Sequence, residues 1–205
     1  MGFYDDEVVP RIVHLTCGAK WVRPLRERAC AGLSGDVVEV GFGSGHNVPF
    51  YPASVTRISA VEPSDLGWKL AAKQLGGATV PIERSGLNGE KLPFPDNSFD
   101  AALSTWTMCT IPDISAALAE LRRVLKPGGT LHFLEHGSAP DESVRRWQRR
   151  LDPLQQRLFG GCHLTRPIAE LLDEGGYTVT SVDRFYQPLT PKPVMSIWLG
   201  TAAAP

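Results

Sequence analysis

The chain has 205 residues, of which 42% are hydrophobic and 21% are charged. These proportions are typical of one soluble folded domain, 1–205, and exclude a disordered or fibrous chain. With 21 basic and 22 acidic residues, the net charge of −1 argues against nucleic acid and anionic membranes as partners. The four cysteines lack the spacing of a zinc site or of a disulfide scaffold, which indicates reduced thiols, no metal centre and a cytoplasmic location.

The N-terminal third is predicted to be helical. Residues 1–10 are acidic and poor in apolar side chains, so we expect neither a signal peptide nor a membrane anchor. Apolar residues then recur at helical spacing over 8–15, and a segment with alternating charges follows at 21–31. Glycines at 32 and 35 interrupt this pattern, so we expect 1–33 to form a helical cap.

The middle of the chain alternates between strand and helix patterns. Helices are predicted at 64–75 and 112–125, the first capped by Ser64 and the second ended by the Lys-Pro-Gly-Gly turn at 126–129. Alternation of this kind predicts an α/β layered sandwich with a mostly parallel sheet. The predicted strands are 36–40, 57–61, 78–83, 98–104 and 130–135, with two more near 177–186 and 194–200.

An arginine-rich segment follows Pro140. Five arginines between 145 and 157 alternate with tryptophan and leucine, which predicts an amphipathic helix with a solvated basic face; a docking surface is the alternative. Pro153 is expected to kink or split this helix. A further helix is predicted at 166–174.

The most informative segment is a glycine loop that follows the first strand. Glu39 precedes Gly41, Gly43 and Gly45, whose alternate spacing is one residue shorter than that of a dinucleotide-binding loop. Pro49 limits any helix behind the loop, so a pyrophosphate is not the expected ligand. A glycine-rich turn without a ligand is the alternative.

An acidic residue closes the next strand. Glu62, followed by Pro63, lies roughly 20 residues beyond the first glycine, where α/β nucleotide sites use a carboxylate to accept hydrogen bonds from ribose hydroxyls. A solvated carboxylate at a strand end is the alternative. Together, the loop and Glu62 predict a ligand that contains a nucleoside.

These features resemble the class I S-adenosylmethionine-dependent methyltransferases. The later segments N-G-E-K-L-P-F at 88–94, D-N-S-F-D at 96–100 and L-R-R-V-L-K-P-G-G at 121–129 are similar to further motifs of that family, in the family's order. The resemblance covers 37–135. It implies a Rossmann-like three-layer sandwich, a mostly parallel seven-stranded sheet with an antiparallel final strand, and S-adenosyl-L-methionine as cofactor.

The resemblance also implies a site. Where this chain has Asn88, the family usually has an Asp that hydrogen-bonds the adenine amino group. Asn keeps an acceptor oxygen but loses the charge. We expect 34–136 to form the cofactor-binding core and 137–205 to form the acceptor side. The residues expected to contact the cofactor are Glu39, Gly41, Gly43, Gly45, Glu62, Pro63, Asn88, Gly89 and Trp106.

The C-terminal part is similar to one subgroup of these enzymes. L-E-H at 134–136, G-G-C-H-L-T-R at 160–166 and the stretch at 187–191 resemble type 11 methyltransferases, among them animal enzymes that methylate alkyl thiols and carry an N-terminal hydrophobic anchor. This resemblance implies methyl transfer to a small-molecule acceptor such as a thiol. The alternatives are a quinone carbon or phospholipid headgroup as acceptor, or an inactive binding protein with this fold.

Two histidines are the candidate catalytic residues. His136 ends the fifth predicted strand, at the edge where open α/β sheets bind ligands, and His163 lies in the G-C-H-L-T-R segment. Either is expected to orient the acceptor or remove its proton; a histidine bonded within a loop is the alternative. Cys162, beside two glycines, is interpreted as a small buried residue rather than a reactive one.

Overall fold

A computed structural model describes residues 2–205 of the chain. Helices cover both faces of a seven-stranded sheet. The helices are α1 (Val9–Cys17), α2 (Arg23–Cys30), α3 (Asp65–Leu70), α4 (Ala72–Leu75), α5 (Ile114–Val124), α6 (Glu142–Leu158) and α7 (Ile168–Glu174). The strands are β1 (Gly35–Val40), β2 (Val55–Val61), β3 (Ile82–Gly86), β4 (Phe99–Thr105), β5 (Leu125–His136), β6 (Thr178–Tyr186) and β7 (Ser196–Ala203).

The sheet has the strand order β3-β2-β1-β4-β5-β7-β6. The first five strands are parallel, and β7 lies antiparallel between β5 and β6. The predicted mostly parallel sheet with an antiparallel final strand is therefore confirmed. The carboxyl ends of β1, β2 and β4 meet at one edge because Val40 pairs with both Val61 and Ser104. Across residues 2–205, none of the helices is both long and apolar enough to cross a bilayer.

Two apolar clusters hold the helices to the sheet. Successive side chains of a strand point to opposite faces, so Val37 and Val38 of β1 belong to different clusters. Val38 packs with the apolar face of α5, and Val37 packs with residues of α2 and β2. Because β1 is packed on both faces, the loop that follows it begins from a buried strand.

Three boundaries differ from the sequence-based expectation. The helix predicted at 64–75 is two short helices, α3 and α4, although Ser64 caps the first as predicted, its hydroxyl accepting from the Gly67 amide at 2.9 Å. β3 lies at Ile82–Gly86 rather than 78–83. β5 begins directly after α5, and its pairing with β4 shifts between Phe99 and Ala101, so that 126–129 bulge out as the expected turn.

The arginine-rich helix α6 continues through Pro153 as one helix, so the helix is not split there. Two buried side chains that precede the proline anchor this helix. The Gln148 amide group bonds to the Gly137 carbonyl and the Ala139 amide. Directly before the proline, the Asp152 carboxylate accepts from the Leu164 amide at 2.5 Å. The buried side of α6 is thus polar, whereas Trp147 and Leu154 are exposed together with the arginines.

Candidate active site

The glycine loop needs glycine for two different reasons. Gly41, Gly43 and Gly45 have φ of 75°, 57° and 73°, a region that favours glycine. A Cβ on Gly41 would overlap the side chain of Thr107, so the loop after β1 packs tightly on the loop after β4. A Cβ on Gly43 would instead have no atom closer than 3.9 Å. The protein leaves the space above Gly43 free at the carboxyl edge of the sheet.

Glu62 lies at the end of β2 and faces this loop. Its carboxylate accepts a hydrogen bond from the Gly43 amide at 2.6 Å and another from the Ser64 amide at 2.7 Å. Burial raises the pKa of Glu62, and the two amides oppose that shift. Each carboxylate oxygen has a second lone pair, so both can accept a further hydrogen bond from a ligand. The neighbouring Pro63 is exposed.

Glu39 lies beneath the loop. Its carboxylate accepts hydrogen bonds from the Asn47 amide group at 2.9 Å and from the Tyr51 hydroxyl. Burial raises the pKa of Glu39 to about 7. Asn47 also bonds to Thr105, at 3.0 Å, and accepts from Arg26 at 2.7 Å. Glu39 therefore supports the loop through a buried polar network.

Asn88 and Gly89 follow β3 at the same edge. The Asn88 side chain is exposed, and its Oδ1 atom accepts a hydrogen bond from the Glu90 amide at 2.8 Å. Gly89 packs against the end of β1, because a Cβ there would lie 2.8 Å from a methyl group of Val40. The structure thus brings both residues to the edge that carries the glycine loop and Glu62.

Trp106, directly after β4, is held in an unusual state. Its φ of 52° is rare for a bulky residue, and its amide donates to the Leu134 carbonyl at 2.7 Å. The indole Nε1 atom is buried and has no hydrogen-bond partner within residues 2–205. Strain combined with an unsatisfied buried donor is typical of a functional site.

His136 ends β5 and lies beside Trp106, with their ring centroids 6.1 Å apart. The Nδ1 atom lies 3.3 Å from Cys162 Sγ and 3.9 Å from Cys109 Sγ. The Nε2 atom is buried without a partner among the described residues. Two buried polar atoms, one on each of these rings, therefore lack a hydrogen-bond partner among the described residues.

His163 is placed differently. Its Nδ1 atom lies 3.5 Å from the Asp152 carboxylate of α6, and its side chain is 32% exposed. Its amide donates to the Cys109 carbonyl at 2.8 Å. The backbone of His163 therefore braces the loop after β4, while its ring points to α6.

Two charged residues of the site, Arg26 and Glu135, were not predicted from the sequence. Arg26 is buried, donates to Thr105 at 3.0 Å and stacks over the Trp106 ring at 5.0 Å, although its segment was predicted only as a charged helix. Glu135 is fully buried and accepts from the amides of Thr107, Met108 and Cys109, each at 3.1 Å. A carboxylate inside an apolar strand was the one available sign of this role.

The N-terminal helix α1 covers the outer side of the loop. His46 stacks on His14 with centroids 5.0 Å apart and bonds to the His14 carbonyl at 3.0 Å. Burial lowers the pKa of His46 to about 4. A cavity of about 360 Å³ lies here, between α1, α2 and α4. None of the residues predicted to bind the cofactor lines this cavity, although Arg26, which stacks over Trp106, does.

The site fits the nucleoside cofactor that the sequence implies. Glu62 offers two acceptors, as adjacent ribose hydroxyls require, and the space above Gly43 admits a close approach to the backbone. The loop lacks a long helix behind it, because only the single turn Val48–Phe50 follows. This arrangement suits a ligand without a pyrophosphate.

The chain is similar in sequence to known methyltransferases. Residues 38–133 match the family model described as a methyltransferase domain. The chain is 32% identical to the human thiol S-methyltransferase TMT1A over 168 residues, which cover 78% of this chain and 68% of that protein. It is 30% identical over 170 residues to the ubiquinone/menaquinone biosynthesis C-methyltransferase UbiE of Methylobacterium nodulans, covering 81% of this chain and 62% of that protein.

A solved structure shares the fold. The SAM-dependent methyltransferase of Aquifex aeolicus superposes with a TM-score of 0.63 at 17% identity, covering 96% of this chain and 98% of that one. At this identity the match supports the fold alone, whereas the match to TMT1A extends over most of both sequences. The chain belongs to the S-adenosylmethionine-dependent methyltransferases.

Proposed function

We propose that this methyltransferase transfers the methyl group of S-adenosylmethionine to the sulfur of a small thiol. The observation that carries the proposal is the buried Nε2 atom of His136 beside Trp106, at the carboxyl edge of the sheet, which has no hydrogen-bond partner within residues 2–205. The similarity to TMT1A, whose name states thiol S-methylation, supports the choice of acceptor. A cytoplasmic location is part of the same proposal.

The chain's own residues hold the cofactor in this proposal. Glu62 accepts hydrogen bonds from the ribose, Gly41, Gly43 and Gly45 let the ligand approach the backbone, and Asn88 and Gly89 frame the adenine with Pro63 beside them. Trp106 offers its free indole N–H to the cofactor, and Glu39 acts indirectly by holding Asn47 beneath the loop. When bound, S-adenosylmethionine supplies a methyl group on a positively charged sulfur.

The acceptor needs positioning more than activation. A small thiol that is similar to the cysteine side chain has a pKa near 8.5, so about 3% is thiolate at pH 7 without any general base. His136 places a polar atom where the sulfur approaches, so it contacts and orients the acceptor. Alignment of nucleophile and methyl group, with exclusion of water, then provides most of the rate enhancement.

Calorimetry and an acceptor screen test the proposal. We expect micromolar binding of S-adenosylmethionine or S-adenosylhomocysteine, and turnover of small alkyl thiols but not of quinols or ethanolamine lipids. Turnover of a quinol alone would favour the alternative that the similarity to UbiE supports. Cofactor binding without turnover of any thiol, phenol or amine would instead favour a binding protein with this fold.

Substitution of His136 tests its proposed contact with the acceptor, and the same substitution of His163 is the control. His136→Ala should raise the KM for a small thiol about tenfold or more, because a hydrogen bond to a charged sulfur is lost, while the cofactor Kd stays unchanged. His163→Ala removes a half-exposed ring that faces Asp152 and should leave that KM within about twofold. Equal effects of the two substitutions on KM would contradict the assignment of His136.

A further inference from the structure

Three side chains of types that can bind a metal ion meet near the carboxyl ends of β4 and β5. Cys109 lies in the loop after β4, His136 at the end of β5, and Cys162 in the loop between α6 and α7. Their Sγ, Nδ1 and Sγ atoms all lie within 4.8 Å of one another. Spacings of 27 and 26 residues along the chain hide this cluster from sequence motifs.

The separations match three corners of a zinc tetrahedron. With Zn–S of about 2.3 Å and Zn–N of about 2.0–2.1 Å, tetrahedral angles put two sulfurs about 3.8 Å apart and a sulfur and a nitrogen about 3.5 Å apart. The observed distances are 3.5 Å between the sulfurs of Cys109 and Cys162, and 3.3 and 3.9 Å from these to His136 Nδ1. Each agrees with the ideal value within about 0.4 Å.

The surrounding residues fix this arrangement before any ligand binds. Glu135 accepts from the Cys109 amide at 3.1 Å, and the Cys109 carbonyl accepts from the His163 amide at 2.8 Å. The Arg166 guanidinium, itself buried, donates to the carbonyls of Met108 and Ile111 on either side of Cys109. The loop of Cys109 is thus anchored from two directions, and the bond to His163 ties it to the segment that carries Cys162, which favours a preformed site.

Charge also suits a divalent ion of the zinc class. Two thiolates neutralise a dication, so the cluster formed by the ion and its two cysteine ligands has no net charge. Two sulfurs and one imidazole form a donor set that selects Zn²⁺ over Mg²⁺ or Ca²⁺. Binding would release the two thiol protons to solvent as the two Zn–S bonds form.

We propose that Cys109, His136 and Cys162 bind one zinc ion, with a non-protein ligand at the fourth position. Coordination through Nδ1 assigns the ring proton of His136 to Nε2, the atom beside Trp106 that has no partner in the described part of the chain. His136 then presents a hydrogen-bond donor, which suits a thiolate. This last step rests on the proposed thiol S-methyltransferase function, whereas the metal site itself does not.

Cobalt titration of the full-length protein tests the site without any methyl acceptor. Protein that has been reduced with a phosphine and freed of metal should bind one equivalent of Co²⁺, with a near-ultraviolet thiolate-to-cobalt band and tetrahedral visible bands that Zn²⁺ abolishes. Cys109→Ser and Cys162→Ser should each lose most of the thiolate band. Cys30→Ser, which alters a buried free cysteine outside the cluster, should retain it.

X-ray absorption of the zinc-loaded wild type needs no variant and should give two sulfurs and one imidazole around the metal. Reduced wild type that binds no Co²⁺ with thiolate bands would overturn the site, as would a band that survives in both cluster variants. A protein that methylates thiols but fails to bind Co²⁺ when titrated would overturn the metal site and leave the proposed function intact. A protein that binds Co²⁺ with thiolate bands but does not methylate thiols would support the metal site and overturn the proposed function.

Discussion

The amide of Gly43 donates a 2.6 Å hydrogen bond to the carboxylate of Glu62, which joins the loop after β1 to the end of β2. This bond positions the carboxylate at the open space above the loop. The same group therefore organises the site and, in the proposed function, binds the ribose.

Glu62→Ala is expected to weaken cofactor binding. Loss of two hydrogen bonds to a charged acceptor should raise the Kd for S-adenosylhomocysteine about 10- to 100-fold, measured by calorimetry. Glu83→Ala, the same change at an exposed position of β3, is the control and should leave the Kd unchanged. An unaltered Kd in Glu62→Ala would contradict the assignment of the ribose site.

Substitution of two glycines in the loop should affect stability and cofactor binding differently. Gly41→Ala places a methyl group inside the Thr107 side chain and should lower the melting temperature sharply. Gly43→Ala meets no atom closer than 3.9 Å and pays only the cost of the left-handed backbone, roughly 1–2 kcal/mol. We expect this second variant to fold and yet to lose cofactor affinity, because its methyl group enters the ligand space.

Thermal unfolding and calorimetry of the two variants together check this. A Gly43→Ala protein that binds the cofactor with wild-type affinity would show that the ligand lies elsewhere. A Gly41→Ala protein as stable as the wild type would contradict the tight packing of the two loops.

The sheet, its order and the edge that carries the site follow from local patterns. Apolar runs such as 36–40 are buried on both faces, and glycines with positive φ are required where the loop turns. Glu62 was predictable because a strand end fixes its place along the chain. Its contact with the Gly43 amide was not, since the two residues meet only when β1 and β2 pair.

The interior of the site was less predictable. Arg26, Glu135 and Cys109 come from three distant elements, and each acquires its partners only through the fold. Helix α6, which continues through Pro153, is a further example, because its residues Gln148 and Asp152 bond to the distant Ala139 and Leu164 amides. Residues that act through long-range contacts leave little periodic signal in one sequence.

The buried carboxyl of Glu39 should make stability depend on pH. Burial raises its pKa from 4.5 to about 7 in the folded protein, so the folded state holds more protons than the unfolded chain between these values. The contribution of Glu39 to stability is therefore full below about pH 4.5 and falls as the pH rises to about 7.

Glu39→Gln isolates this contribution. The amide stays neutral, so the free energy of unfolding of the variant relative to wild type should rise between pH 5 and pH 8, by up to roughly 3 kcal/mol. Urea unfolding at several pH values measures the difference, and other titrating groups cancel in the comparison. A difference that is constant with pH would mean that Glu39 is ionised throughout this range.

The two buried indoles provide a last comparison. Trp106 Nε1 has no partner within residues 2–205, whereas Trp198 Nε1 donates to the Ser138 carbonyl at 3.1 Å. Trp106→Phe removes an unsatisfied donor and should keep or raise the melting temperature, while Trp198→Phe leaves a carbonyl unpaired and should lower it.

The effects of these two substitutions on cofactor affinity should differ from their effects on stability. If the Trp106 indole N–H bonds the cofactor, Trp106→Phe should raise the Kd about 3- to 10-fold, the worth of one neutral hydrogen bond, and Trp198→Phe should leave it unchanged. Stability that is kept while affinity falls is the result expected of a residue strained for binding, as the φ of 52° at Trp106 indicates. A Trp106→Phe variant with lower stability and wild-type affinity would instead assign this ring to packing alone.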